Sequence, residues 1–177
     1  MLKYRNKLIA AASAVVAAGA VTVSGLTAAS AATAGPAAPA ARTSVSGIEF
    51  FQLMTTSETS NKESIIALGR VFTAGGVDHQ GSKTDRVVFP GGTFKIRHFK
   101  GHGRSHFNAR TCLIRINQHG RYKLRDGTGT YAGISGHGRY RLKIRAVGAR
   151  NSHGNCSQSK PPVAYQQIIK AHGPVTL

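Results

Sequence analysis

Residues 121–125 read RYKLR and residues 139–145 read RYRLKIR, so a cation occupies every second position and an apolar residue the position between. Strict alternation is the period of a β-strand with one buried and one wet face. Tyr122, Leu124, Tyr140, Leu142 and Ile144 are assigned to the buried face. The cations are assigned to the wet face, because burying them unpaired would cost several kcal/mol each. The pattern recurs at 93–99, where Phe94, Ile96 and His98 alternate with Lys95 and Arg97. It recurs again at 109–118, where Cys112, Ile114 and Ile116 alternate with Leu113, Arg115 and Asn117.

Runs rich in aromatic and large apolar residues predict further strands at 48–55, 65–73, 85–89 and 163–171. Between the strands, Gly75-Gly76 and Gln80-Gly81-Ser82 read as loop, as does 100–108 with Gly101 and Gly103. Pro90-Gly91-Gly92 and His119-Gly120 read as turns, 127–136 as a glycine-rich connection, 148–162 as a long polar loop and Gly173-Pro174 as a stop. No stretch has helical periodicity. Eight successive strands predict an all-β domain, an eight-stranded antiparallel barrel that closes on itself and so removes its edges. A two-sheet β-sandwich is the alternative.

Composition adds a compartment. Lys3, Arg5 and Lys7 precede an apolar run over 8–26 that ends in small residues, and Ala32-Thr33-Ala34 fits a cleavage site, so 1–34 reads as a secretory signal peptide. A retained membrane anchor is the other reading of that run. Residues 35–46 are Ala, Pro, Ser and Thr in the main and read as a flexible leader, leaving 47–177 as the barrel domain. Of 177 residues, 24 are Lys or Arg and 6 are Asp or Glu, a net charge of +18 that drops by three when the signal is removed. Cys112 and Cys156, the two cysteines of an exported chain, predict one disulfide worth about 4 kcal/mol in the chain-entropy picture.

The segment 126–140, DGTGTYAGISGHGRY, is similar to the G-T-G-x-Y-x-G-x-x-G-x-G segment of small bacterial secreted proteins in the allene oxide cyclase/dirigent-like barrel group. The likeness implies the eight-stranded barrel. In the plant members that barrel encloses an apolar cavity used for cyclisation or for orienting radical coupling. No catalytic position of the group has a matching residue here, so none is carried over.

The cationic face is the main candidate for function. Lys95, Arg97, Arg115, Arg121, Lys123, Arg125, Arg139, Arg141, Lys143 and Arg145 all fall at outward positions by alternation. An extended polyanion bridging such a row releases its counterions, which points to nucleic acid, an anionic wall polymer or anionic lipid as partner. A purely solubilising surface is the bland reading. The rival function is a small apolar ligand-binding or cyclase-like protein using the interior, which requires a cavity of several hundred Å³ with a few converging polar groups.

Other constellations are weaker. His98, His102 and His106 recur every four residues, the spacing of metal ligands on a helix, but Gly101 and Gly103 argue against a helix, so they read as scattered loop histidines. Residues 127–132 match a dinucleotide fingerprint without its strand–turn–helix context, and Ser135 lacks a nucleophile-elbow motif. Glu49 reads as a strand glutamate at the surface or rim; pointing inward, it would be suited to acid–base work. The expectation is a binding or structural protein rather than an enzyme, with no cofactor or metal.

Overall fold

In the computed structural model, the described residues are 44–99, 101–157 and 159–177. The proposed signal peptide and residues 35–43 of the leader lie outside them. Nine strands follow one another: β1 (Ser46–Thr55), β2 (Lys62–Gly69), β3 (Thr73–His79), β4 (Thr84–Phe89), β5 (Gly92–His98), β6 (His102–Asn108), β7 (Leu113–Arg125), β8 (Ser135–Val147) and β9 (Ala164–Thr176). They pair in the order β5-β4-β3-β2-β1-β9-β8-β7, and β7 pairs back onto β5. The result is the closed, eight-stranded antiparallel barrel that the alternation predicts. The ninth strand, β6, is an extra. It pairs with Leu113–His119 of β7, beyond the stretch Tyr122–Arg125 that β5 holds.

Four expectations are corrected. β3 was expected as loop because of its glycines, yet Gly76 is needed there: a Cβ would sit 2.1 Å from the Val88 carbonyl oxygen and 2.4 Å from the Phe89 ring. β6, also expected as loop, is exposed along its whole length and exists through backbone pairing alone, so it lacks alternation. His119-Gly120 is not a turn but the middle of β7. Finally, β9 runs through Gly173-Pro174 to Thr176. Pro174 is tolerated because it falls where the β8–β9 ladder is interrupted, between Arg139↔His172 and Gly136↔Val175.

Gly120 lies opposite Tyr140, and Gly138 opposite Tyr122, on the inner face of β7 and β8. Each glycine leaves room for the ring across from it: a Cβ would stand 2.6 Å from the Tyr140 ring at Gly120 and 2.7 Å from the Tyr122 ring at Gly138. Thus both glycines are inner-face spacers within strands. The 126–134 connection folds inward, placing Tyr131 and Ile134 in the core. Tyr131 packs with Phe72, Phe89 and Phe94 at ring-centroid distances of 5.1 to 5.8 Å, an aromatic plug across one end of the barrel. Cys112–Cys156, whose Cα atoms are 5.4 Å apart, ties the 148–162 loop to the start of β7 as expected. A disulfide is consistent with an oxidising, extracellular setting.

Candidate functional site

Nine of the ten outward cations are exposed, and Arg145 is half-buried, its guanidinium donating to the Ile144 carbonyl and to Asn117. Strand pairing sets like charges directly across from one another: Arg97↔Lys123, Lys95↔Arg125, Arg121↔Arg139, Arg115↔Arg145 and, from β9, Arg141↔Lys170. Opposed like charges destabilise a sheet. Among the described residues the carboxylate within ion-pair reach of this face is that of Asp126, 3.1 Å from Lys95 and 3.7 Å from Arg125. The face is also wider than alternation alone indicated. β6 extends it with His102, Arg104 and His106, across from His119, Asn117 and Arg115. The outer faces of β1 and β2 instead expose Ile48, Phe50, Met54, Ile66 and Leu68. The charge is therefore gathered on one sector.

Between β5 and β6 this sector becomes concave. A groove of about 850 Å³ is lined by Arg121, Lys123, Arg139, His102, His119 and His137, with Phe99 at its edge. Arg97 stands over the Phe99 ring at 5.4 Å. His102 and His106 thus belong to the outer face, whereas His98 faces inward, so the three histidines spaced by four do not meet. Among the described residues no group of three or more His, Cys, Asp or Glu is placed to hold a metal ion.

Four of the chain's six carboxylates face the interior, which the sequence reading missed. Glu49 is not at the surface or rim but fully buried, because Gly69 opposite leaves space for its carboxylate. Its Oε1 accepts from the backbone N–H groups of Val71 at 2.7 Å and Phe72 at 3.2 Å, so its work is structural, satisfying the turn between β2 and β3. At the opposite end Glu63, Asp78 and Asp85 come together from β2, β3 and β4. Glu63 and Asp78 are cross-strand partners and buried. Glu63 Oε1 accepts from the side-chain amides of Gln80 and Gln167. Asp85 accepts from the Gly81 N–H at 2.8 Å and lies 3.5 Å from His98 Nε2.

Burial, reinforced by the negative charges of Asp85 and Glu63, pushes the Asp78 carboxyl from 3.8 up to about 8. Burial likewise lifts Glu63 from 4.5 to about 7, against the pull of its Gln167 bond. His98 is raised above 6.5, chiefly by its bond to Asp85. Asp78, Asp85 and His98 border a cavity of about 240 Å³ that opens between the ends of the strands, with Phe51, Leu53, Tyr122, Tyr140, Leu142 and Ile169 among its walls. No signal in the linear sequence gathers them: Asp78 lies in the glycine-rich stretch read as loop, and its neighbours come from other strands.

The comparisons with known proteins return no counterpart: no family model, no curated protein and no solved structure matches the chain.

Proposed function

We propose that this is a secreted, non-catalytic barrel that binds an extracellular polyanion through the cationic sector of β5 to β9. It belongs, on this reading, with small exported barrels of the allene oxide cyclase/dirigent-like type, as the 126–140 segment suggests. The observation that carries the proposal is the groove between β5 and β6, where Arg121, Lys123 and Arg139 converge with three histidines and no carboxylate lines the wall. Charge that served only solubility would be spread around the barrel and interleaved with acids. Here it is concentrated, and the acids are turned inward. An extended phosphodiester suits the groove best, since it presents a charge at regular intervals along a flexible chain and Phe99 offers a ring at the edge.

The test is a salt titration of binding to duplex DNA, an anionic wall polymer and anionic vesicles, with the protein lacking 1–34. Engaging about six phosphates gives log K against log[salt] a slope of about −5. The triple variant Arg121→Glu, Lys123→Glu and Arg139→Glu is expected to weaken binding at least tenfold and flatten that slope. Unchanged affinity and slope would overturn the proposal. So would binding by the native protein that vanishes for all three partners by about 0.15 M salt.

A further inference from the structure

We propose that the barrel interior is a second and independent site, a pocket for a small organic cation consisting of an apolar ring with a short protonated amine arm that docks on Asp78. The cavity holds about 240 Å³, and one of about 150 Å³ is enough to hold benzene, so a ring with a short polar arm fits. Its walls are apolar and aromatic in the middle of the barrel and polar at the mouth, where Asp78, Gln80, Asp85, His98 and Gln167 converge. A ligand entering there meets its charge partner and its apolar seat along one axis.

Asp78 is the decisive group. It is 1 % exposed, lines the cavity, and neither carboxylate oxygen has a hydrogen-bond partner. Buried polar atoms of native proteins are nearly always paired, so a buried carboxyl with both oxygens unpartnered in the wall of a cavity calls for a ligand group that completes it. The chemistry of the gap selects the ligand. Carboxylate oxygens accept, and the histidine that could donate to them, His98, is engaged with Asp85. An ammonium brings three donors and the compensating charge, whereas an anion would add to the negative charges of Glu63, Asp78 and Asp85. A neutral alcohol could satisfy one oxygen and neutralise nothing.

Proton linkage follows from the same geometry. The groups facing Asp78 are Glu63 on β2, Asp85 on β4 and His98 on β5; burial and the negative charges of Asp85 and Glu63 raise its carboxyl to about 8 against the pull of His98, so it is protonated at neutral pH when the pocket is empty. An arriving ammonium favours the ionised form and expels that proton to solvent. Apparent affinity therefore rises with pH up to about 8, and stays high until the amine itself deprotonates near 10.

Phenethylamine is the probe, titrated calorimetrically into the protein lacking 1–34, with 2-phenylethanol and 3-phenylpropionate as neutral and anionic controls of similar size. Saturable amine binding is expected, about tenfold tighter at pH 8.5 than at pH 6.5, with protons released to the buffer at the lower pH and both controls at least tenfold weaker. Asp78→Asn should weaken the amine at least tenfold while near-ultraviolet circular dichroism stays native. Because that variant could fold differently, carboxyl NMR of the unmodified protein provides a second reading: saturating amine should lower the Asp78 pKa by more than one unit. Absence of saturable binding, equal binding of the alcohol, or an unmoved Asp78 resonance would overturn the proposal. The triple groove variant should bind phenethylamine undiminished, so failure of the outer-face reading leaves this one standing.

Discussion

Replacing Asp78 by Asn removes a buried ionisable group while keeping its shape, and the consequence for stability has a definite sign. The unfolded carboxyl titrates near its ordinary value of 3.8 and the folded one near 8. Between those values the native state holds a proton that the unfolded chain has released, so unfolding free energy falls as pH rises. Each pH unit is worth about 1.4 kcal/mol per group, so a shift of about four units sets a ceiling of about 6 kcal/mol for Asp78. Coupling to Glu63 makes these two carboxyls titrate together, and solvent entering the mouth relaxes them, which brings the working figure to about 3 kcal/mol. Glu63 and His98, both raised, act in the same direction: their contributions are complete below about 4.5 and 6.5 and are lost as pH climbs through their folded values.

Urea denaturation of the native protein and of Asp78→Asn at pH 5, 6, 7, 8 and 9 isolates the effect. Gross repulsion from the eight histidines is common to both proteins and cancels in the difference. The Asn variant is expected to gain on the native protein by about 1 kcal/mol per unit from pH 5 to 8, then to hold a constant lead. A difference that stays flat over that range, or that falls with pH, would refute the burial and charge argument for Asp78.

Two further outcomes follow from the fold. The double variant Cys112→Ala, Cys156→Ala opens a loop with a sequence separation of 44 and should lose about 4 kcal/mol in urea, as should the native protein under reductant; a loss below about 1 kcal/mol would contradict it. Gly120→Ala and Gly138→Ala push a methyl against the Tyr140 and Tyr122 rings and should each cost about 1 to 3 kcal/mol, whereas Gly133→Ala, with open space around it but φ of +88°, should cost about 1 kcal/mol by thermal denaturation.

The all-β class and the eight-stranded closure were legible because most strands bury one face, and burial imposes the period of two. Where that cause is missing, so is the signal. β6 buries neither face, and β3 carries glycines that let the strand approach Phe89. The expected count of eight arose because β3 and β6 were missed while β7 was divided at His119-Gly120, and closure uses eight of the nine strands. Outward cations were readable for the same reason: on β5, β7 and β8 the alternation runs unbroken from Lys95 to Arg97, Arg115 to Arg125 and Arg139 to Lys143. The interior acids were not. Glu63 and Asp78 face each other only through the β2–β3 register, and Asp85 joins them only through the β3–β4 pairing.

The partition of charge is the feature that ties these observations together. Turned outward, Glu63, Asp78 and Asp85 would have relieved a surface on which Arg121 opposes Arg139 and Arg97 opposes Lys123. Turned inward, they leave those rows unneutralised and add the cost of desolvating carboxyl groups, two of them at least partly without hydrogen-bond partners. Stability is reduced on both sides of the same wall, and elements that give up stability in this way are characteristic of sites rather than of scaffold. Glu49 differs in part, since its Oε1 is matched to two backbone donors and serves the fold, while its Oε2 is also buried without a partner. Two arrangements of opposite sign result, opposed cations unneutralised on the outer face of β5, β7 and β8 and desolvated carboxyl groups on the inner face of β2 to β4.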